Sequence, residues 1–316
     1  MVWIIVACCV VGVFFFLVFM PAWVSYTVVF YTSARRKEDP YVLPKGEQYE
    51  ENRDVMYALI REMDEIPFER VYLTSVDGKR LSAKYYHVAD GAPLQIQIPG
   101  YRGSSTRDLC GGNKLARKYG FNTLVMDLRA HGESQGHTIT FGVKERLDTL
   151  CWIKYACQRF GEQTPIFLVG VSMGAATALM TSDLDLPKNV VGIIADCPYS
   201  TPSAVIASVC KKMKLNPKIL LPYIRLGARM FGHFRLDDAS ATKSVANTEI
   251  PILLIHGEDD RFVPCEMSRE IYESRNGYVE LHTFANAGHA LSYMTDYERY
   301  EEITKKFIER CGVTIN

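Results

Sequence analysis

A serine held between two glycines, where an apolar strand pattern gives way to a helix pattern, is the position in this sequence best suited to chemistry. The stretch 166–169 is apolar and runs into Gly170-Val171-Ser172-Met173-Gly174, followed by the helix-prone Ala175-Ala176-Thr177-Ala178-Leu179-Met180. A strand that turns sharply into a helix crowds its own backbone at the bend, so the flanking positions require glycine and the serine between them is strained, with its hydroxyl outward. That is the setting of a serine nucleophile for acyl transfer. A hydroxyl attacks poorly until an imidazole takes its proton, and the imidazole needs a carboxylate on its other nitrogen to fix its tautomer. Ser172 therefore calls for a histidine and an acid elsewhere in the chain.

Two downstream loops supply them. The apolar run 252–255 leads into His256-Gly257-Glu258-Asp259-Asp260-Arg261-Phe262-Val263-Pro264, and the run ending at Phe284 leads into Ala285-Asn286-Ala287-Gly288-His289-Ala290. Serine, acid, histidine is one of the chain orders in which such a triad occurs, with His289 as general base. Spacing alone leaves Glu258, Asp259 and Asp260 open as the acid. Asp196, in Asp196-Cys197-Pro198-Tyr199-Ser200 after an earlier strand pattern, is a further alternative. A second histidine, His131, sits in Asp127-Leu128-Arg129-Ala130-His131-Gly132-Glu133-Ser134; it precedes the serine and is read as bracing its loop. His256 is read as structural and Cys197 as a small buried residue. The sequence holds no H-E-x-x-H, phosphate-cradling or dinucleotide motif, so neither metal nor organic cofactor is expected.

Positioning these loops requires a sheet. Residues 71–74 and 81–87 pattern as a hairpin joined at Asp77-Gly78. Apolar strands follow at 94–98, 123–128, 166–171, 190–195, 252–255 and 279–284, separated by helical stretches at 109–119, 143–160, 175–182, 266–274 and 297–310. Strand and helix in alternation predict an α/β fold with a mainly parallel sheet covered on both faces, the loops converging at the strands' carboxyl ends. The long interval from about 198 to 248 predicts a helical cap above the sheet.

Ahead of this body, residues 2–30 carry no charge, and 2–20 are almost wholly apolar, long enough to cross a bilayer as a helix. Pro21 marks a kink or an end, and Trp23 and Tyr26 suit the interface. The basic cluster Arg35-Arg36-Lys37 follows the apolar run instead of preceding it, which favours a retained anchor over a cleaved signal. The same cluster predicts an outside N-terminus and a cytoplasmic body. The expected division is a transmembrane anchor at 1–34, a linker and short amphipathic helix at 35–68, and a catalytic domain at 69–316. In that short helix Val55, Leu59, Ile60 and Met63 are expected to share the packed face.

Bulk composition narrows the partners. Lys plus Arg equals Asp plus Glu at 36 each, so charge offers nucleic acid no attraction. Nine cysteines without C-x-x-C spacing describe neither a zinc site nor a disulfide framework, and nothing sets an oligomeric state.

With these motifs in place, the chain resembles an α/β-hydrolase superfamily serine hydrolase, of the broad serine-esterase, lipase and serine-aminopeptidase (S33-like) group, over residues 71–311. The family pattern H-G-x-x-D-x-x-V-P falls on His256, Gly257, Asp260, Val263 and Pro264, which implies Ser172, Asp260 and His289 as the catalytic triad. The resemblance further implies an oxyanion hole made by the backbone N–H groups of Met173 and of Tyr101, in Ile98-Pro99-Gly100-Tyr101-Arg102-Gly103. Relatives carry His-Gly where this chain has Pro99-Gly100, so that imidazole is absent from the loop's bracing. Arg102 is expected to pair with a surface carboxylate. The implied activity is hydrolysis of carboxylic esters, small or lipid, with peptides or thioesters as alternatives for the same triad and a non-catalytic binding fold as the rival.

Overall fold

Eight strands form one sheet in the order β1-β2-β4-β3-β5-β6-β7-β8. The computed structural model describes residues 1–33, 39–44 and 46–315, without side chains for residues 8–11. Strands β1 (Glu69–Thr74) and β2 (Arg80–Tyr86) make the hairpin, and β2 pairs antiparallel with β4 (Asn122–Asp127). From there β3 (Leu94–Ile98), β5 (Ile166–Val171), β6 (Val190–Asp196), β7 (Ile252–Gly257) and β8 (Val279–Phe284) continue in parallel. The central strands β3, β4 and β7 are buried along their whole length, which suits a sheet covered on both faces, whereas the edge strand β8 is buried only at Val279 and Phe284. Helices α6 (Glu145–Phe160) and α7 (Met173–Thr181) cover one face, and α5 (Ser105–Lys118) and α13 (Tyr297–Arg310) the other. The chain steps from β3 to β4 on one side and from β4 to β5 on the other, so the crevice at the switch point lies beyond the carboxyl ends of β3 and β5.

Between β6 and β7 the long connection folds as α8 (Pro202–Lys212), α9 (Pro217–Met230) and α10 (Ala241–Ala246). Each of these three helices begins where a side chain caps it: Thr201, Asn216 and Ser240 each accept from a backbone N–H in the first turn. Short α3 (Glu47–Glu50) and α4 (Arg53–Asp64) precede the sheet. The packed face of α4 is Met56, Leu59, Ile60 and Met63; Val55 points to solvent, 51% exposed, one position off the sequence expectation.

The N-terminal apolar segment is helical from Val2 to Val29 and is a candidate membrane span by length and composition. At 28 residues it measures about 42 Å. It comprises α1 (Val2–Phe14), a π-helical turn (Phe15–Phe19) and α2 (Met20–Val29). Pro21 neither ends nor breaks it. The missing N–H and the ring's demand for room one turn back are met by the wider π turn immediately before it. Its last turns lie on the body, with α2 packed along α9. Tyr26, expected at a membrane interface, instead bonds Thr138 through its hydroxyl at 2.7 Å and packs on Phe231, because it sits on the docked face. Trp23 is on the outer face, half exposed. Arg35, Arg36 and Lys37 lie outside the described residues.

Candidate active site

Ser172 joins β5 to α7 with φ 54° and ψ −115°, a backbone conformation that side-chain-bearing residues avoid. The flanking glycines make the bend fit. A Cβ on Gly174 would collide with the carbonyls of Ile98 and Pro99, and one on Gly170 with the backbone of Gly174. The serine is thereby pressed toward the crevice above β3 and β5.

His289, on the loop after β8, directs Nε2 to Ser172 Oγ at 2.9 Å and Nδ1 to Asp260 Oδ2 at 2.5 Å. In this arrangement the Ser172 hydroxyl donates to Nε2 and the Nδ1–H donates to the carboxylate. Asp260 is buried, and its other oxygen accepts the N–H groups of Phe262 and Val263, each at 2.8 Å. Burial alone would raise its pKa; the neighbouring imidazoles of His256 and His289 outweigh that and hold it well below the usual carboxylate range. Among the described residues no other carboxylate bonds the His289 imidazole. Glu258 and Asp259 are exposed, Glu258 accepting from Thr283 at 2.6 Å. Asp196 accepts from the Tyr300 hydroxyl at 3.2 Å, and burial pushes its pKa up to about 6.

His256 is fully buried, its Nε2–H donating to the Val263 carbonyl at 2.8 Å and its Nδ1 accepting from Ser268 at 2.6 Å. It thus fixes the turn that presents Asp260. Cys197 Sγ, the Asp260 carboxylate and a His289 nitrogen lie within 4.8 Å of one another. The Asp260–His289 hydrogen bond engages two of these three groups with each other, which is poor preparation for a metal.

The loop after β3 is braced although Pro99 brings no imidazole to it. Asp108 accepts the Gly100 N–H at 3.0 Å, and His131 Nε2 accepts the Arg102 N–H at 2.9 Å. His131 Nδ1–H in turn donates to the Arg129 carbonyl at 2.9 Å, which sets its tautomer. Tyr101 lies between the two braced positions. The rest of the Asp127 to Ser134 loop is similarly tied, with Arg129 bidentate to Asp148 at 2.6 Å and Ser134 donating to the Asp127 carbonyl at 2.7 Å. On the other side of Ser172, Met173 opens α7, so its N–H is among the first-turn donors that a helix leaves without an internal partner.

Several residues at the site escaped the sequence reading. Tyr49, on α3, donates to the His289 carbonyl at 3.1 Å. Val24, Ser25, Val28 and Val29 of α2 line the same cavity as Ser172 and His289, a space of about 660 Å³ that the cap closes with Val205, Ile206 and Ile224. Among the described residues Arg102 pairs with no carboxylate; its guanidinium donates to the carbonyls of Val28 at 2.9 Å and Tyr31 at 3.0 Å. Local patterning carries no sign of these partners, because each joins segments far apart in sequence.

Comparison with known proteins agrees with the fold. A family model described as alpha/beta hydrolase fold matches residues 96–216. The chain is 28% identical over 194 residues to the uncharacterized protein YqkD of Bacillus subtilis, covering 61% of this chain and 64% of that one. It is 28% identical over 219 residues to human Protein ABHD12B (64% and 56%), and 26% identical over 170 residues to the lysophosphatidylserine lipase ABHD12 of Danio rerio (51% and 41%). The matches thus span less than two thirds of these relatives' lengths. Among solved structures, the Pyrococcus furiosus esterase Pf2001 superposes with a TM-score of 0.66 at 25% identity, covering 79% of this chain and 93% of that one. The fold is shared as well with Est1E from Butyrivibrio proteoclasticus, at a TM-score of 0.60 and 22% identity over 76% and 98% of the chains.

Proposed function

For a chain that belongs to the α/β-hydrolase superfamily, we propose the activity of a membrane-anchored serine hydrolase that cleaves carboxylic esters through an acyl-enzyme. The observation that carries this reading is the continuous hydrogen-bond line from Ser172 through His289 to Asp260, at 2.9 and 2.5 Å. Ser172 Oγ attacks the ester carbonyl as His289 Nε2 takes its proton; the imidazolium then gives that proton to the departing alkoxide. Water, deprotonated by the same nitrogen, releases the acid and restores the serine. Asp260 holds the imidazole in the productive tautomer and stabilises its charged form. The N–H groups of Met173 and Tyr101 receive the oxyanion, and their worth lies in being oriented before charge develops.

The cavity favours an ester over a peptide N-terminus. Its walls beside Ser172 are mostly apolar, with Val24, Val28, Val205, Ile206 and Ile224 among them. The two carboxylates that line it are already engaged, Asp108 with Arg107 and the Gly100 N–H and Asp196 with Tyr300, so a charged amine would lose its hydration there with little compensation. An apolar acyl chain would gain about 0.8 kcal/mol for each CH₂ buried. The distant lipase relative from zebrafish agrees with an apolar acyl group. Residues 2–29 serve as the anchor in this reading, with the body on the cytoplasmic side, as the Arg35-Arg36-Lys37 cluster directs. Retention of the segment is supported by Phe30, wholly buried in the body's core against Phe141 and Phe234.

A fluorophosphonate probe tests the activity. The wild-type chain is expected to label and Ser172→Ala to remain unlabelled; unlabelled but folded wild-type protein would make the fold a binding module. Digestion of the body from outside sealed right-side-out vesicles would reverse the orientation.

A further inference from the structure

The two long cap helices carry a charge asymmetry that the balanced chain as a whole conceals. Between Asp196 and Asp237 there is no Asp or Glu, while Lys211, Lys212, Lys214, Lys218, Arg225, Arg229 and Arg235 all fall in that interval, and all are exposed. Arg225 spends its charge on Asp237 at 3.2 Å. Around the α8–α9 turn the basic residues alternate with exposed apolar ones: Met213 is 64%, Leu215 45% and Ile219 60% exposed. Apolar side chains at that exposure, set among cations, are matched by a surface that is anionic outside and hydrocarbon beneath.

The position of this face points the same way. Helix α9 lies along α2, with the backbone of Gly227 against Ala22 and Tyr26, and with Phe231 packed edge-on to Phe19 at 5.3 Å between ring centroids. The cap is therefore beside the N-terminal helix where that helix leaves the body. On the outer face of α2, Trp23, Val24 and Val28 are exposed. Val24 and Val28 line one side of the cavity holding Ser172, and Val209, Met213 and Leu215 line another. Side chains that are both exposed and cavity-lining form its rim, so the rim is apolar on the α2 side and on the cap side alike.

We propose that the α8–α9 face of the cap is a second membrane contact. Its lysines and arginines lie among anionic headgroups of the leaflet that the N-terminal helix enters, Met213, Leu215 and Ile219 dip below them, and the rim of the cavity meets lipid instead of bulk water. The proposal rests on the reading of residues 2–29 as a membrane anchor and adds to it a fixed posture of the body. Substrate then reaches Ser172 from the bilayer, as an ester whose apolar chain never crosses water.

Hydrogen exchange of the full-length chain in nanodiscs tests this, comparing phosphatidylcholine alone with phosphatidylcholine containing 30% phosphatidylglycerol. Backbone amides of residues 209–219 are expected to exchange at least several-fold more slowly in the anionic discs. The protection should be lost in the triple variant Lys211→Gln, Lys214→Gln, Lys218→Gln, and in high salt, with fluorophosphonate labelling verifying that the variant is folded. A chain that fails to enter nanodiscs overturns the anchor reading and the docking with it. A chain that enters them but exchanges equally in both lipids overturns the docking alone. Protection that follows protein concentration instead of phosphatidylglycerol assigns the face to a second copy of the chain and likewise overturns it.

Discussion

The hydroxyl of Tyr101 donates to the carbonyl of Val29 across 2.8 Å, tying the loop beside Ser172 to the last turn of the N-terminal helix. Arg102 reinforces the tie through the carbonyls of Val28 and Tyr31. A helix leaves its final carbonyls without internal partners, and here the proposed oxyanion loop supplies them.

Shortening the chain to begin after Phe30 is therefore expected to damage catalysis as well as anchoring. We expect kcat/KM toward p-nitrophenyl butyrate to fall by at least about tenfold relative to the full chain in detergent. Tyr101→Phe removes one hydrogen bond, worth about 0.5–1.5 kcal/mol, and should give a smaller loss of about two- to tenfold. Equal activity of the full and shortened chains would refute the coupling.

Exchange of single carboxylates distinguishes the acid. Asp260→Asn leaves the imidazole with a wrong partner at Nδ1 and is expected to lower kcat by about four orders of magnitude. Asp259→Asn and Glu258→Gln, both exposed, should stay within about twofold of wild type. Steady-state kinetics of the three variants checks the ordering.

His131 acts on the chemistry through Arg102. His131→Ala frees the Arg102 N–H and should lower kcat by about 10- to 100-fold with little change in KM, since the oxyanion forms after binding. Gln at position 131 offers both an acceptor and a donor, so His131→Gln is expected to recover part of the loss. A variant that changed only thermal stability would reduce His131 to a structural role.

Asp196 sets a pH dependence of stability. Its folded pKa, raised by burial to about 6, lies above the unfolded value of about 3.9. Between these values the folded state binds more protons, so the group lowers stability as pH rises through that window. Asp196→Asn removes the effect; its stabilisation relative to wild type should be near zero at pH 4 and grow to about 3 kcal/mol at pH 7. Urea unfolding at both values checks this, and an unchanged difference would contradict it. Asp260 has the opposite sign: its depressed pKa gives stability present above the unfolded value and lost as pH falls below it.

Val28 narrows the cavity from the helix side. Val28→Trp is expected to lower the ratio of kcat/KM for p-nitrophenyl octanoate to that for the acetate by about tenfold, equivalent to about 1.4 kcal/mol. An unaltered ratio would remove the helix from the substrate's path.

Local physics made much of this legible from sequence. The strain at Ser172 demands its own glycines, so the bend is written in five adjacent residues; strands buried on both faces read as apolar runs, and all eight lie where the pattern puts them within a few residues. Partners chosen across the fold left no local mark. Met56 in place of Val55 on α4 is a rotation of one position, decided by what α4 packs against. Tyr49 at the His289 loop and the α2 valines at the cavity come from segments that look like linker and anchor when read alone. Helix capping by Arg102 was likewise hidden, because backbone carbonyls carry no residue type.

Phe30 bears on how such a chain is made. Its ring meets Phe141 at 5.8 Å and Phe234 at 5.3 Å between centroids, partners that lie 111 and 204 residues later. Phe30 is therefore translated well before either ring that covers it. During synthesis it waits beside the ribosome's product while the whole sheet is still to come, so the body assembles onto a helix already in place, and its folding is governed by long-range closure. A nascent chain arrested before residue 234 would expose that phenylalanine to chaperones.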